Sequence, residues 1–298
     1  MQVVIPIPFN TNQLISSNAT EVYAAYNPST TYSKDQRVDY GTYIWQSLVN
    51  SNTGNQPDIS PTFWIQVGPD NTHAMFDLQV STQTTSTSPL IVTVLPNKKF
   101  NTVAGINVDA TSVRLVVKDQ PGVSGVVIYD QTKNLDNSDL IIDWYGYFFD
   151  EFSLVNEFMF EGIPPYSTSE FTLTLSGLTT INIGHLIYGN IVSLGSTQYG
   201  VNTGIRDFSI KETDEFGITT FVQRGFSKRF EAQFMLNNSD ISSVMQTLQN
   251  IRATPVLWIP STASKFSSLN TFGYYKEFDI NIPYPDNSMC SIQIEGLV

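Results

Sequence analysis

Charge and sulfur are both scarce in this chain. Only 14% of its 298 residues are Asp, Glu, Lys or Arg, against about 25% in ordinary globular proteins. A single cysteine, Cys290, excludes an internal disulfide framework. It stands in the strand-like run SMCSIQIEGLV and reads as a small buried hydrophobe. Without disulfides the chain suits folding in a reducing cytoplasm. Basic residues are the scarcer sign, 15 against 27 acids, for a net charge of −12. The longest basic run is Lys98-Lys99, so nothing here grips a phosphate backbone and no nucleic-acid partner is expected. No apolar run approaches the ~18–20 residues of a membrane span, so no membrane insertion is expected. The opening MQVVIPIPFN has no basic n-region and does not read as a signal peptide.

Motifs of chemistry are missing too. The two histidines, His73 and His185, stand in no metal spacing such as H-E-x-x-H or H-x-H. His185, in INIGHLIYG, reads as a hydrogen-bonded core or edge histidine, and His73 as a surface one. There is no G-x-S-x-G, no locally supported Cys/His pair, no G-x-G-x-x-G and no P-loop. The acids Asp136, Asp139, Asp143, Asp150 and Glu151 lie beside aromatics in DNSDLIIDWYGYFFDE. A glycoside-cleaving pair needs two carboxylates held about 5 or 6.5–9.5 Å apart, and calcium needs a ladder of oxygens. The turn composition favours ordinary solvated acids. The expectation is a protein with no catalytic residues, no metal and no cofactor, and not an enzyme.

What is present is apolar and hydroxyl-rich. With 41% hydrophobic residues, 19 Phe and 14 Tyr, the chain can build a large core. Short runs rich in β-branched and aromatic residues, LIVTVLP, TSVRLVVKD, GVVIYDQT, IIDWYGYFF and EFTLTLSGL, are bounded by Pro, Gly, Asn and Asp. Phe171, Leu173 and Leu175 alternate with Thr172 and Thr174. The tract STQTTSTS reads as an exposed loop or edge. One segment breaks the pattern. In SDISSVMQTLQNIRATP, Ile241, Val244, Met245, Leu248 and Ile251 recur at helical spacing, with Ser239 or Asp240 as the cap. The fold class expected is therefore all-β: a jelly-roll or β-sandwich body with one amphipathic helix near 239–252. The expected organisation is an arm over 1–20, a small module over 21–69, a sandwich over 70–180 and a second β region over 181–298.

The small module has the most informative spacing. Tyr26, Tyr32, Val38, Tyr40, Gly41, Tyr43, Asn55, Pro57, Trp64 and Val67 would pack a three-stranded sheet of about forty residues. This pattern resembles the chitin- and cellulose-binding modules carried by bacterial chitinases and cellulases. In those relatives two adjacent aromatics after the Tyr-x-x segment form a stacking platform, and the matching positions here are Ser47 and Leu48. The resemblance keeps the scaffold and omits that platform. Trp45, with Tyr32 and Tyr43, is the candidate carbohydrate-binding set; packing of Trp45 in the fold or against a protein is the other reading of that ring.

The text that follows, GPDNTHAMFDLQV, resembles a segment of tailed-bacteriophage virion proteins. There the same module precedes a Gly-Pro-x-Asn run and an Ala-Met-Phe-Asp strand. The stretch 184–237, around Asp207-Phe208-Ser209 and Phe216-Gly217, resembles their assembly body; a plain hairpin with a Glu-Phe-Gly turn explains it equally. The resemblance implies a structural component of a phage virion, in the tail, baseplate or collar, assembled in the host bacterial cytoplasm. Its partners would be other virion proteins and copies of itself, with host-surface polysaccharide as a further one. A carbohydrate-binding protein or polysaccharide-degrading enzyme is the alternative.

Overall fold

The computed structural model describes residues 1–135, 154–177, 179–213 and 215–297. The five acids between Asp136 and Glu151, and the run IIDWYGYFF, lie outside the described residues. In chain order the strands begin with β1 (Gln2–Pro6), β2 (Leu14–Ser17), β3 (Arg37–Tyr40), β4 (Tyr43–Ser47), β5 (Trp64–Pro69), β6 (Thr84–Thr87) and β7 (Leu90–Val94). Then follow β8 (Thr102–Asp109), β9 (Ser112–Lys118), β10 (Val127–Asn134), β11 (Glu157–Phe160), β12 (Glu170–Ser176), β13 (Thr180–Ser193) and β14 (Ser196–Thr197). The last are β15 (Asn202–Asp207), β16 (Ile210–Thr213), β17 (Thr219–Val222), β18 (Phe226–Asn237), β19 (Val256–Ile259), β20 (Thr271–Asn281) and β21 (Asn287–Gly296), with helix α1 (Ile241–Asn250) before β19. Strand makes up 50% of residues and helix 9%, so the protein is all-β.

The chain divides into two compact units. One comprises Met1–Pro8, Lys99–Val103 and Ile187–Val298; the other comprises Phe9–Lys98 and Ala104–Leu186. The expected contiguous division at 70 and 180 differs from this one. The first twenty residues pack on the body: β1 pairs with β13 and β19, while β2 pairs with β7. The partners of β1 lie near residues 190 and 258, far along the chain, which local patterning does not encode.

In the second unit, β10-β9-β12-β7-β2 form an antiparallel sheet. The alternation of β12 places Phe171, Leu173 and Leu175 on its buried face, level with Val113, Leu115 and Val117 of β9. The threonines between them face the other way, and Thr172 meets Thr93 across the sheet. The hydroxyl-rich STQTTSTS tract contains β6, an edge strand on β13. Its Thr84 and Ser86 are buried, so only alternate side chains face out. The Ala-Met-Phe-Asp segment, expected as a strand, is a 3-10 turn instead. Met75 N–H finds its acceptor in Thr84 Oγ1 at 2.9 Å, outside any ladder.

The small module is a separate three-stranded sheet of the same unit, β3-β4-β5. Gly41, at φ +74°, opens the two-residue turn between β3 and β4. Tyr32, Val38 and Trp64 form its core, with Tyr26, Trp45 and Phe63 packed against them. Trp64 Nε1 donates to Asn55 O at 2.8 Å, which satisfies its one polar atom.

In the first unit, β1-β19-β20-β21-β18 are consecutive antiparallel neighbours. Trp258, Phe234, Ile292, Ile294 and Cys290 sit in the core under this sheet, and Val244, Leu248 and Ile251 of the helical segment join them. The helical stripe is thus real. Met245, at its margin, remains 37% exposed. The cap differs from expectation. Asp240 has helical backbone angles and its side chain makes no capping bond, because a 3-10 turn, Asn238–Asp240, leads into α1. β16 and β17 form a two-stranded ribbon that pairs with no other described strand.

Candidate functional site

The structure places the three sugar-binding candidates in different environments. Tyr32 is 7% exposed, and its hydroxyl accepts from Asn27 N–H at 2.7 Å. Its ring packs edge-on to Trp64 at 5.2 Å between centroids, so it is a core residue with no face left for a ligand. Trp45 is half-buried against the same core, and its indole N–H donates to Tyr40 O at 3.2 Å. Tyr43 is 42% exposed at the start of β4, opposite Tyr40 and Pro69. Of the two platform positions, Ser47 is fully buried and Leu48 is 38% exposed. Sugar stacking needs an open ring face, and Tyr43 offers the largest share of one among the three.

A second constellation gathers where the sequence showed no motif. Glu21, from the loop before β3, Asp39 of β3 and Asp70, just after β5, each bring a carboxylate oxygen within 4.8 Å of the others. Asp39 and Val38 point to opposite faces because successive strand residues alternate. Val38 enters the module core, and Asp39 is left on the opposite face among these acids.

Two of the three carboxylates are well supplied with donors. Glu21 accepts from Asn71 N–H at 2.8 Å, from Thr72 N–H at 3.1 Å and from the Thr72 hydroxyl. Asp70 Oδ1 accepts from the His73 backbone N–H at 2.7 Å and from its ring Nδ1 at 2.6 Å. Asp70 is 3% exposed. Asp39 Oδ1 is buried with no hydrogen-bond partner among the described residues. Burial, and then the charges of Asp70 and Glu21, push the Asp39 pKa up to about 6, with His73 pulling the other way. The cluster can therefore retain a proton on Asp39 in mildly acidic solution. Its donors are hard oxygens, the type that calcium takes.

His73 was expected at the surface; its side chain is only 15% exposed. The Asp70 bond and a tilted contact with Phe9, 6.1 Å between ring centroids, hold it inward. His185 is buried, and burial lowers its pKa to about 4, so it is neutral at pH 7. Sequence reasoning missed Glu21, Asp39 and Asp70 because they lie 18 and 31 positions apart. The one local signal was Asp70-x-x-His73, the spacing of a turn in which an aspartate caps a backbone N–H.

No protein-family model and no curated protein sequence matches the chain. No helix among the described residues is long and apolar enough to cross a membrane.

Proposed function

We propose that this chain is a structural component of a tailed-phage virion, in the tail, baseplate or collar, and that it makes and breaks no covalent bond. The observation that carries the reading is the junction after the small module. The Gly68–Asn71 run resembles the phage segment, and in the structure its Asn71 ties three stretches of chain together. Asn71 Nδ2 donates to Thr20 O and Thr85 O, and Asn71 Oδ1 accepts from Thr85 N–H. A binding module clamped in this way is held at a defined angle to its neighbouring strands, as a part repeated on a particle requires. The low charge content and the antiparallel sheets are compatible with close packing against other subunits.

In this reading the small module contacts host-surface polysaccharide through Tyr43, while Trp45 packs against the module core. Many copies on one particle would turn weak single contacts into useful avidity. The decisive experiment is mass spectrometry of purified virions that encode this chain. The polypeptide should be present in fixed stoichiometry, and particles without it would remove the proposal. Incubation of the purified protein with host capsule or chitin oligomers should release no reducing ends; their appearance would favour a depolymerase.

A further inference from the structure

The open face of strands β15, β18 and β21, all in the first unit, carries a polar cavity of about 420 Å³. That volume lies within the ~300–1,000 Å³ of small-molecule sites. Alternation along β18 buries Phe230 and Ala232 and turns Arg229 and Glu231 outward. Strand pairing then sets two rows across the three strands. Arg229 stands between Gly204 of β15 and Glu295 of β21, and Glu231 stands between Asn202 and Gln293.

Glu295 is the satisfied end of the first row. Its side chain is 15% exposed and accepts from Arg206 Nη1 at 2.9 Å, from the Tyr274 hydroxyl at 3.3 Å and from Lys276. Hydrogen bonds, that of Lys276 first, hold its pKa below the usual glutamate range. Arg229 lies opposite Glu295 in register, yet its side chain makes no ion pair or hydrogen bond among the described residues. It lies over Gly204 instead, where a Cβ would meet Arg229 Nε at 3.2 Å. The missing side chain at 204 thus leaves the guanidinium free to turn into the cavity. Asn202, Glu231 and Gln293 likewise make no side-chain hydrogen bond among the described residues. Three cations, Arg206, Arg229 and Lys276, line the cavity against two acids, Glu231 and Glu295. The balance is one positive charge in a chain of net charge −12.

We infer that this cavity binds an acidic sugar, a hexuronic acid unit of a polysaccharide, with its carboxylate on Arg229 and its hydroxyls on Glu231, Asn202 and Gln293. A guanidinium matches a carboxylate through two parallel N–H bonds. Ionised Glu231 only accepts, so it repels a ligand that is anionic all round, such as phosphate, and receives a hydroxyl proton instead. The Asn202 and Gln293 amides both donate and accept, as ring hydroxyls do. A ligand with one carboxylate and several hydroxyls satisfies all four side chains at once. Glu295 is already taken by Arg206, Lys276 and Tyr274, so it does not compete with the ligand for Arg229. The inference goes beyond the virion reading given above, and it uses no residue of the small module.

Isothermal titration calorimetry of the full chain with trimers of galacturonate, glucuronate and mannuronate tests it. The neutral galactose and glucose trimers and inorganic phosphate are the comparison ligands. At least one uronate trimer should bind, and more tightly than its neutral counterpart or phosphate. Arg229→Gln should weaken that binding by roughly tenfold or more, the scale of a lost charge-assisted hydrogen bond. Arg224→Gln, the same charge change at an exposed arginine outside the cavity, should leave it unchanged. Gly204→Val, which fills the space beside Arg229 with a residue suited to a strand, should also weaken it. Arg229 is exposed, so the circular dichroism spectrum and melting temperature of Arg229→Gln should stay as in the wild type. No binding by any uronate trimer, equal binding of neutral trimers or phosphate, or an equal response to Arg229→Gln and Arg224→Gln would each overturn the inference. Presence of the chain in purified virions would still stand after any of those results, so the two failures are distinguishable.

Discussion

Asn71 and Thr85 hold each other through a reciprocal pair of hydrogen bonds. Thr85 N–H donates to Asn71 Oδ1 at 2.8 Å, and Asn71 Nδ2 donates back to Thr85 O at 2.7 Å. The amide side chain thereby acts as a one-residue strand partner for β6. Its other bond, to Thr20 O at 2.8 Å, reaches the chain just before the small module. One buried side chain fixes the segment that enters the module, the segment that leaves it and the next strand.

Replacing Asn71 with Ala should therefore cost more than an ordinary surface change. It strands the Thr85 N–H and two carbonyls, and each buried unsatisfied group costs about 1–3 kcal/mol. We expect a loss of about 2–4 kcal/mol in urea unfolding, with hydrogen exchange accelerated first around 20–21 and 84–86. A change below about 0.5 kcal/mol, the range of neutral surface substitutions, would show that the clamp is dispensable.

Asp39 makes stability depend on pH in an unusual direction. Its pKa is about 6 in the folded chain, above the ordinary 3.8. Below pH 3.8 both folded and unfolded forms hold the proton, and this group contributes nothing. Between about 4 and 6 the unfolded chain releases its proton first, so stability falls as pH rises. Above pH 6 the loss is constant. Asp39→Asn should flatten this part of the profile in melting experiments and raise stability at pH 7 relative to the wild type. An unchanged slope between pH 4 and 6 would contradict the assignment.

Gly189 is a sharper test of strand pairing. A Cβ there would fall 2.0 Å from Ile5 O, on the partner strand β1. No side-chain rotation relieves that contact, since the obstacle is backbone. Gly189→Ala should shift β1 away from β13 and lower the melting temperature of the first unit. Gly68→Ala, where a Cβ meets nothing within 4 Å, serves as the control and should leave stability nearly unchanged.

Tyr43 and Tyr32 should separate binding from folding. Tyr43→Ala removes a half-exposed ring and should reduce retention on host polysaccharide severalfold, with little effect on melting. Tyr32→Ala opens a cavity beside Trp64 and should cost about 3–5 kcal/mol, as other large-to-small aromatic changes in cores do. Equal glycan retention by the wild type and Tyr43→Ala would remove the sugar contact from the proposal.

Much of the fold was legible because it is written in local periodicity. The Phe171/Leu173/Leu175 alternation became β12, and the Val244/Leu248/Ile251 stripe became the buried side of α1 and the turn that ends it. The isolated Cys290 is buried as expected. Boundaries and caps were less legible. Asp240 looks like a cap, yet the preceding 3-10 turn already aligns the chain. Ala74-Met75-Phe76 looks like a strand, but its backbone closes on itself, with Phe76 N–H bonded to His73 O at 2.9 Å. Among the candidate sugar contacts, the sequence grouped Tyr32 with Tyr43 because both are tyrosines of the same module, although only one has an open face.

Composition and spacing alone determined that this chain is all-β, that the segment around 241–250 is an amphipathic helix, and that its aromatic cluster at 26–64 can pack a small sheet. Those properties depend on neighbours a few residues away, and a strand or helix repeats every two or 3.6 residues. Tertiary structure alone decided that Glu21, Asp39 and Asp70 meet, that β1 finds its partners near residues 190 and 258, and that Phe216 and Phe221 face outward while Phe234 is buried. Proximity between distant residues and the burial of a ring depend on what the rest of the chain packs against them, and no local pattern carries that information.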